Sequence, residues 1–340
     1  MVKQFLLLVI LTLAFWPKPA LAQMLAPTPT PIPEINLANF HPVILIHGLG
    51  GVPEDWHMSD QNYVKLLEDQ GYPADYIKEY VYADADGDPT TYDYQGDIAK
   101  ISANMKNNVA ELSAKSLYNG GDGKVDLVGY SLGGLIAREY LHENPADHKI
   151  RKLITVGTPH QGVFILWLDK IADIFPNSPV LIRAQLHQMV NEFVWKILGS
   201  EHQQSPDLNS DAVQEVRPDS PYLAELNNLT MIVHHPSYYT LYGDIATSIG
   251  FQIFIYKLSY KMSLGDLLVM PNSATGIQYS PTSRYSFSDE EEFSLGPAGD
   301  LTNGFSFSLD LITLKDENYR HTKLLKQIPI QSTIVSILNS

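Results

Sequence analysis

Cysteine is missing from all 340 positions. The chain can therefore form no disulfide, offers no thiolate to a structural zinc site, and has no cysteine to carry a lipid anchor. Basic residues are also scarce, with 23 Lys and Arg against 38 Asp and Glu and a formal net charge of -15. Such an excess repels phosphate at long range, which excludes nucleic acid and anionic membranes as electrostatic partners. Neutral lipid, reached by apolar contact, stays open, so a transient meeting with a lipid interface is compatible with this charge. The apolar run Phe5 to Trp16, interrupted by Thr12, falls short of the ~20 residues that a membrane span needs.

That run follows Met1-Val2-Lys3 and precedes Ala20-Leu21-Ala22, which sets small residues at an A-x-A cleavage site. Residues 1–22 are expected to be a secretory signal peptide, with the mature protein secreted or held at the cell envelope. Residues 23–39 carry Pro27, Pro29, Pro31 and Pro33 and read as a stiff, extended linker. The remainder, 40–340, is long enough and, at 44% hydrophobic for the whole chain, apolar enough for one large domain that relies on packing alone.

The domain's organising stretch is an apolar strand, Val125 to Val128, then Gly129-Tyr130-Ser131-Leu132-Gly133-Gly134, then a helix from Leu135. A G-x-S-x-G between a strand and a helix makes a tight turn that lifts the serine hydroxyl above the sheet edge. Ser131 is the candidate nucleophile. Val43 to Ile46 is uninterrupted and apolar, the pattern of a strand buried on both faces, and it runs into His47-Gly48-Leu49-Gly50-Gly51. Such a loop exposes main-chain N–H groups where open α/β sheets hold their ligands. Phosphate is disfavoured, because neither a Lys-Ser/Thr after the glycines nor a G-x-G-x-x-G order is present.

Asn62 to Gln70 reads as a helix, Ile77 to Tyr82 as a strand, Asp97 to Leu112 as a helix, and Ile150 to Val156 as a buried strand. Strands and helices thus alternate, predicting an α/β fold with a mostly parallel central sheet flanked by helices. Residues 163–229 break the rhythm with two apolar helical stripes, Phe164 to Phe175 and Leu186 to Leu198. They are read as a helical cap insertion, the alternative being a layer buried against the core. The sheet resumes at Tyr238, Phe251 to Tyr256 is an apolar excursion, Phe305 to Leu311 alternates as a half-exposed strand, and Ser332 to Leu338 is the last helix. Asp84, Asp86 and Asp88 resemble part of a calcium loop, but the twelfth position is Gln95, so an acidic turn is preferred and no metal or cofactor is expected.

A serine hydroxyl needs a base within hydrogen-bond reach, and that base needs an orienting carboxylate. Of 11 histidines, His321 stands where the Ser…Asp…His order puts the base. Asp266 and Asp244 compete as the acid. Asp266, which follows a glycine and precedes Leu267-Leu268-Val269, is favoured.

These residues carry a resemblance. The chain resembles an α/β-hydrolase and is similar to secreted bacterial lipases and esterases. The matching segments are His47 to Gly51 as oxyanion loop, Gly129 to Gly134 as nucleophile elbow, Thr158-Pro159-His160-Gln161-Gly162 as a turn common in that group, and Asp266 to Val269 with His321 as acid and base. The resemblance implies oxyanion-hole N–H groups at Leu49 and Leu132, with Ser131, Asp266 and His321 as triad. It implies a secreted serine carboxylester hydrolase, a triacylglycerol lipase-like enzyme that takes an acyl-ester or lipid substrate and needs no protein partner. GPI-inositol-deacylase-like and lecithin-cholesterol-acyltransferase-like hydrolases are similar too, so a phospholipid or glycolipid deacylase or acyltransferase is the alternative. A catalytically silent lipid-binding protein is the minor one.

Overall fold

In the computed structural model, residues 36–82, 96–164, 166, 207–228, 232–253, 256–263, 265–276, 282–288, 293–295 and 319–340 are described. The expected signal peptide, most of the linker, the aspartates of the acidic turn, most of both cap stripes and the strand at 305–311 lie outside these residues. Asn36 caps a short 3-10 turn, Leu37–Asn39, so the last residues of the expected linker are already folded.

The central sheet grows from strands whose alternate residues feed two cores. Strand β1 is Val43–Ile46, all four residues buried; Ile44 and Ile46 join one apolar cluster and Val43 and Leu45 the other, as the two-residue period of a strand requires. After it come helix α1, Tyr63–Asp69, capped by the Asn62 side chain on the Lys65 amide, and strand β2, Ile77–Glu79. Helices α2, Ile98–Ser102, and α3, Met105–Tyr118, then lead to strand β3, Val125–Tyr130, helix α4, Leu132–Glu143, and strand β4, Ile150–Val156. Two short helices follow, α5, Asp211–Glu215, and α6, Pro221–Leu226, before strand β5, Ser237–Gly243.

The last third adds strands β6, Ala246–Ile253, and β7, Tyr256–Ser263, helix α7, Pro271–Ala274, strands β8, Thr282–Phe287, and β9, Phe293–Leu295, a 3-10 turn, His321–Lys326, and helix α8, Ile328–Leu338. The main sheet has the order β2-β1-β3-β4-β5-β8, six strands paired in parallel throughout. A second sheet has the order β7-β6-β9. Helices α2 to α6 supply the first cluster and α1 and α8 the second, so both faces of the main sheet are covered.

Five elements depart from the sequence reading. The helix expected over Asp97 to Leu112 is two helices, because the buried Tyr80 hydroxyl enters the break, donating to the Ile101 carbonyl and receiving the amides of Asn104 and Met105. The strand expected to reach Tyr82 stops at Glu79. The described residues of the excursion, Phe251, Gln252, Ile253 and Tyr256, belong to the antiparallel pair β6 and β7. Strand β8 was not anticipated; it is an edge strand with four consecutive exposed residues and lacks the apolar alternation by which strands are read. Helix α8 starts four residues earlier than expected, since Pro329 is tolerated in a first turn.

Candidate active site

Ser131 sits between β3 and α4 with φ 53° and ψ -121°, a conformation that L-residues rarely adopt. Three contacts hold it there. Its amide donates to the Val156 carbonyl at 2.8 Å, and its own carbonyl receives the Gly134 amide at 3.1 Å. Helix α4 starts so close to the end of β1 that a Cβ on Gly133 would lie 2.3 Å from the Ile46 carbonyl oxygen, which is why glycine is needed there.

His321 and Asp266 converge on this turn. His321 Nε2 is 2.8 Å from Ser131 Oγ, and His321 Nδ1 is 2.7 Å from Asp266 Oδ2. His321 and Asp266 are fully buried and Ser131 is 7% exposed. The second carboxylate oxygen, Asp266 Oδ1, accepts the amides of Leu268 at 3.1 Å and Val269 at 2.7 Å, and the His321 amide donates to the Asp266 carbonyl at 2.9 Å. Leu267 between them has φ +75°, the strained residue that lets the chain turn back over its carboxylate. Asp244, the competing acid, instead takes the hydroxyl of Ser263. The Tyr130 hydroxyl donates to the His321 carbonyl at 2.8 Å, and its ring lies 5.3 Å from the imidazole at 28°.

The glycine loop passes on the other side of the serine, with Gly48 so close that a Cβ would be 3.0 Å from Ser131 Cβ. His47 is buried in a structural role: its ring stacks on Tyr82 at 3.9 Å, its Nδ1 donates to the Gly48 carbonyl, and its own carbonyl receives the Tyr82 hydroxyl. Leu132 is the first residue of α4, so its amide has no partner within the helix. Leu49 and Leu132 both border Ser131.

Ser131 separates two cavities. One is narrow, about 30 Å³, and walled by apolar side chains including Leu132, Val163, Leu166, Val213 and Leu268. The other, about 190 Å³, is polar in part and includes His321, Trp56, Gln61, Tyr130 and Lys326 in its walls. The described end of the expected cap, 207–228, both packs in the core and walls the narrow cavity through α5.

A buried cation fixes that wall. Arg138 of α4 donates to the Leu226 carbonyl at 2.9 Å and to Asn227 Oδ1 at 2.8 Å. It also meets His160 Nδ1 at 3.2 Å. Burial lowers the Arg138 pKa to about 10, which leaves it charged at neutral pH. Burial first, and Arg138 second, push the His160 imidazole well below its ordinary range, so it is neutral; its Nε2 lies 3.1 Å from Thr155 Oγ1. The turn singled out at 158–162 is thus a brace rather than a proton carrier.

Glu215, at the end of α5, accepts the Ile98 amide at 2.8 Å, and burial raises its carboxyl to about 7. The folded state therefore binds this proton more tightly than the unfolded chain, and the contribution to stability is present below the ordinary carboxylate range and lost as pH rises through about 7. Glu215→Gln should flatten the fall in melting temperature between pH 5 and pH 8. Melting curves of the two proteins that stay parallel across this range would remove the assignment.

Sequence reasoning missed Trp56, Gln61, Tyr130 and Lys326 as walls of the larger cavity, and Arg138 as the brace. Nothing in local pattern marks them: Gln61 reads as a surface residue before a helix cap, and Arg138 as the polar face of an amphipathic helix. Among the described residues no cluster of three or more His, Asp or Glu could hold a metal ion, and no helix is long and apolar enough to cross a membrane.

A family model for palmitoyl protein thioesterases matches residues 42–254. Among solved structures, a mature lipase of Bacillus licheniformis is 21% identical over 64% of this chain and 69% of that chain, with a TM-score of 0.39. For the propeptide form of that lipase the match spans 38% of its length, at 21% identity, 64% of this chain and a TM-score of 0.37. A lipase-like protein of Acinetobacter baumannii is 14% identical over 88% of this chain and 84% of that chain, with a TM-score of 0.44. No curated protein matches.

Proposed function

Because this chain belongs to the palmitoyl protein thioesterase family and so is an acyl ester hydrolase of the α/β-hydrolase superfamily, we propose that it works through an acyl-serine intermediate formed on Ser131. The observation that carries this reading is the unbroken hydrogen-bonded line from Ser131 Oγ through both nitrogens of His321 to Asp266. With Nδ1–H donated to Asp266, Nε2 of the neutral ring is an acceptor and takes the serine proton as Oγ attacks the acyl carbonyl. The amides of Leu49 and Leu132 stabilise the oxyanion, and each such donor is worth about 3 kcal/mol of barrier. The tetrahedral adduct collapses as His321 gives the proton to the leaving oxygen or sulfur. Water, deprotonated by the same imidazole, then releases the acid.

The acyl chain lies toward the narrow apolar cavity, where burial of each CH₂ contributes about 0.8 kcal/mol. A carboxylic ester of a lipid is the first reading of the substrate. A thioester is the second, favoured by the family's description, because a thiolate leaves with less help from the acid. The described part of the expected cap, 207–228, covers the acyl side through α5, and residues 1–22 direct export to the envelope or beyond.

A fluorophosphonate probe, followed by peptide mapping, tests the reading. The tag is expected on the peptide holding Ser131 and should disappear in Ser131→Ala. A tag on any other serine, or none, would sink it.

A further inference from the structure

We infer that the larger cavity is the leaving-group chamber, shaped for a compact, non-anionic alcohol or thiol that carries a hydrogen-bond donor, with Gln61 as the residue that selects it. This rests on the acyl-serine reading above. In that reaction the leaving atom must receive its proton from His321, so the leaving group occupies the side of Ser131 on which His321 stands. His321 forms part of the wall of the 190 Å³ cavity, whereas the narrow cavity is bounded by Ser131 and apolar side chains. The two halves of the substrate are therefore assigned by proton delivery and by polarity together.

The chamber's polar atoms define what it takes. Gln61 is 6% exposed, and its Nε2 is committed to the Asp55 carbonyl at 2.7 Å, with the Met58 sulfur at 3.6 Å. That commitment fixes the amide, so Oε1 is the atom offered to a ligand as acceptor. Trp56 is fully buried, with its Nε1–H shielded from the chamber.

The chamber's cation is paired: Lys326 at its wall meets Asp60 at 3.3 Å. An anionic leaving group would meet no uncompensated cation there. A long alkyl alcohol would bury Gln61 Oε1 against hydrocarbon. A group of glycerol size and polarity satisfies it with a hydroxyl.

The test compares two octanoyl esters that share an acyl chain, the monoester of glycerol and the ester of 1-propanol, by kcat/KM, which reports acylation. Wild type should favour the glycerol ester by about tenfold, the worth of one or two well-made hydrogen bonds. Gln61→Met, which keeps length and loses the acceptor, should bring the ratio to within about twofold of one. If Gln61→Met fails to fold, the wild-type ratio alone carries the test. A wild-type ratio near or below one, or an unchanged ratio in folded Gln61→Met, overturns the assignment. Fluorophosphonate labelling of Ser131 is read in parallel. A labelled serine with a flat ratio rejects the chamber alone, while an unlabelled serine rejects the acyl-serine reading itself.

Discussion

Alanine at position 131 should lower kcat for a p-nitrophenyl acyl ester by about 10⁴-fold or more, because the nucleophile and the proton it yields to His321 vanish together. The fold should persist. The side chain of Ser131 makes one hydrogen bond, to His321, and the turn itself is held by backbone bonds from Ser131 to Val156 and from Gly134 to Ser131. The unfolding midpoint is therefore expected within a few degrees of wild type, since loss of one such bond costs about 1 kcal/mol. Turnover within tenfold of wild type in a folded Ser131→Ala protein would remove the serine mechanism altogether.

Asp266→Asn should be nearly as damaging, at about 10³- to 10⁴-fold in kcat, for a reason the geometry makes specific. Two amides, of Leu268 and Val269, donate to Asp266 Oδ1 and demand an acceptor there. An asparagine must answer with its carbonyl oxygen, which turns its NH₂ toward His321 Nδ1. The imidazole is then forced to accept at Nδ1 and carry its proton on Nε2, facing Ser131 with a donor where an acceptor is needed. Asp244→Asn is expected to change kcat by less than about threefold, because that carboxylate is bonded to Ser263 rather than to the imidazole. Steady-state kinetics on both variants checks the pair, and a larger loss at Asp244 would reverse the assignment of the acid.

The parts of the fold that could be read in the sequence are those whose signal is local. Val43 to Ile46 and Ile150 to Val156 are apolar throughout because both their faces are covered, and they lie where expected. The turn at Ser131 announces itself because glycines must stand where the helix starts against β1. The base is read from its order along the chain and the acid from its place between a glycine and Leu267-Leu268-Val269, and the structure brings Ser131, His321 and Asp266 into one hydrogen-bonded line. What escaped is set by tertiary contact. The break between α2 and α3 is made by a tyrosine from the β2 side of the sheet, and no residue within the helix predicts it. Strand β8 owes its existence to pairing with β5 rather than to its own pattern. Gln61 and Trp56 enter the site only because the segment after β1 folds back over the serine.

Tyr130, the residue just before the serine, grips the backbone of His321 from the far end of the chain. The reactive centre thus cannot exist until the final stretch, from Tyr319 onward, has been synthesised and docked. A polypeptide clipped before Tyr319 should be silent toward esters even with the elbow formed, so that hydrolysis doubles as a report that this stretch has docked.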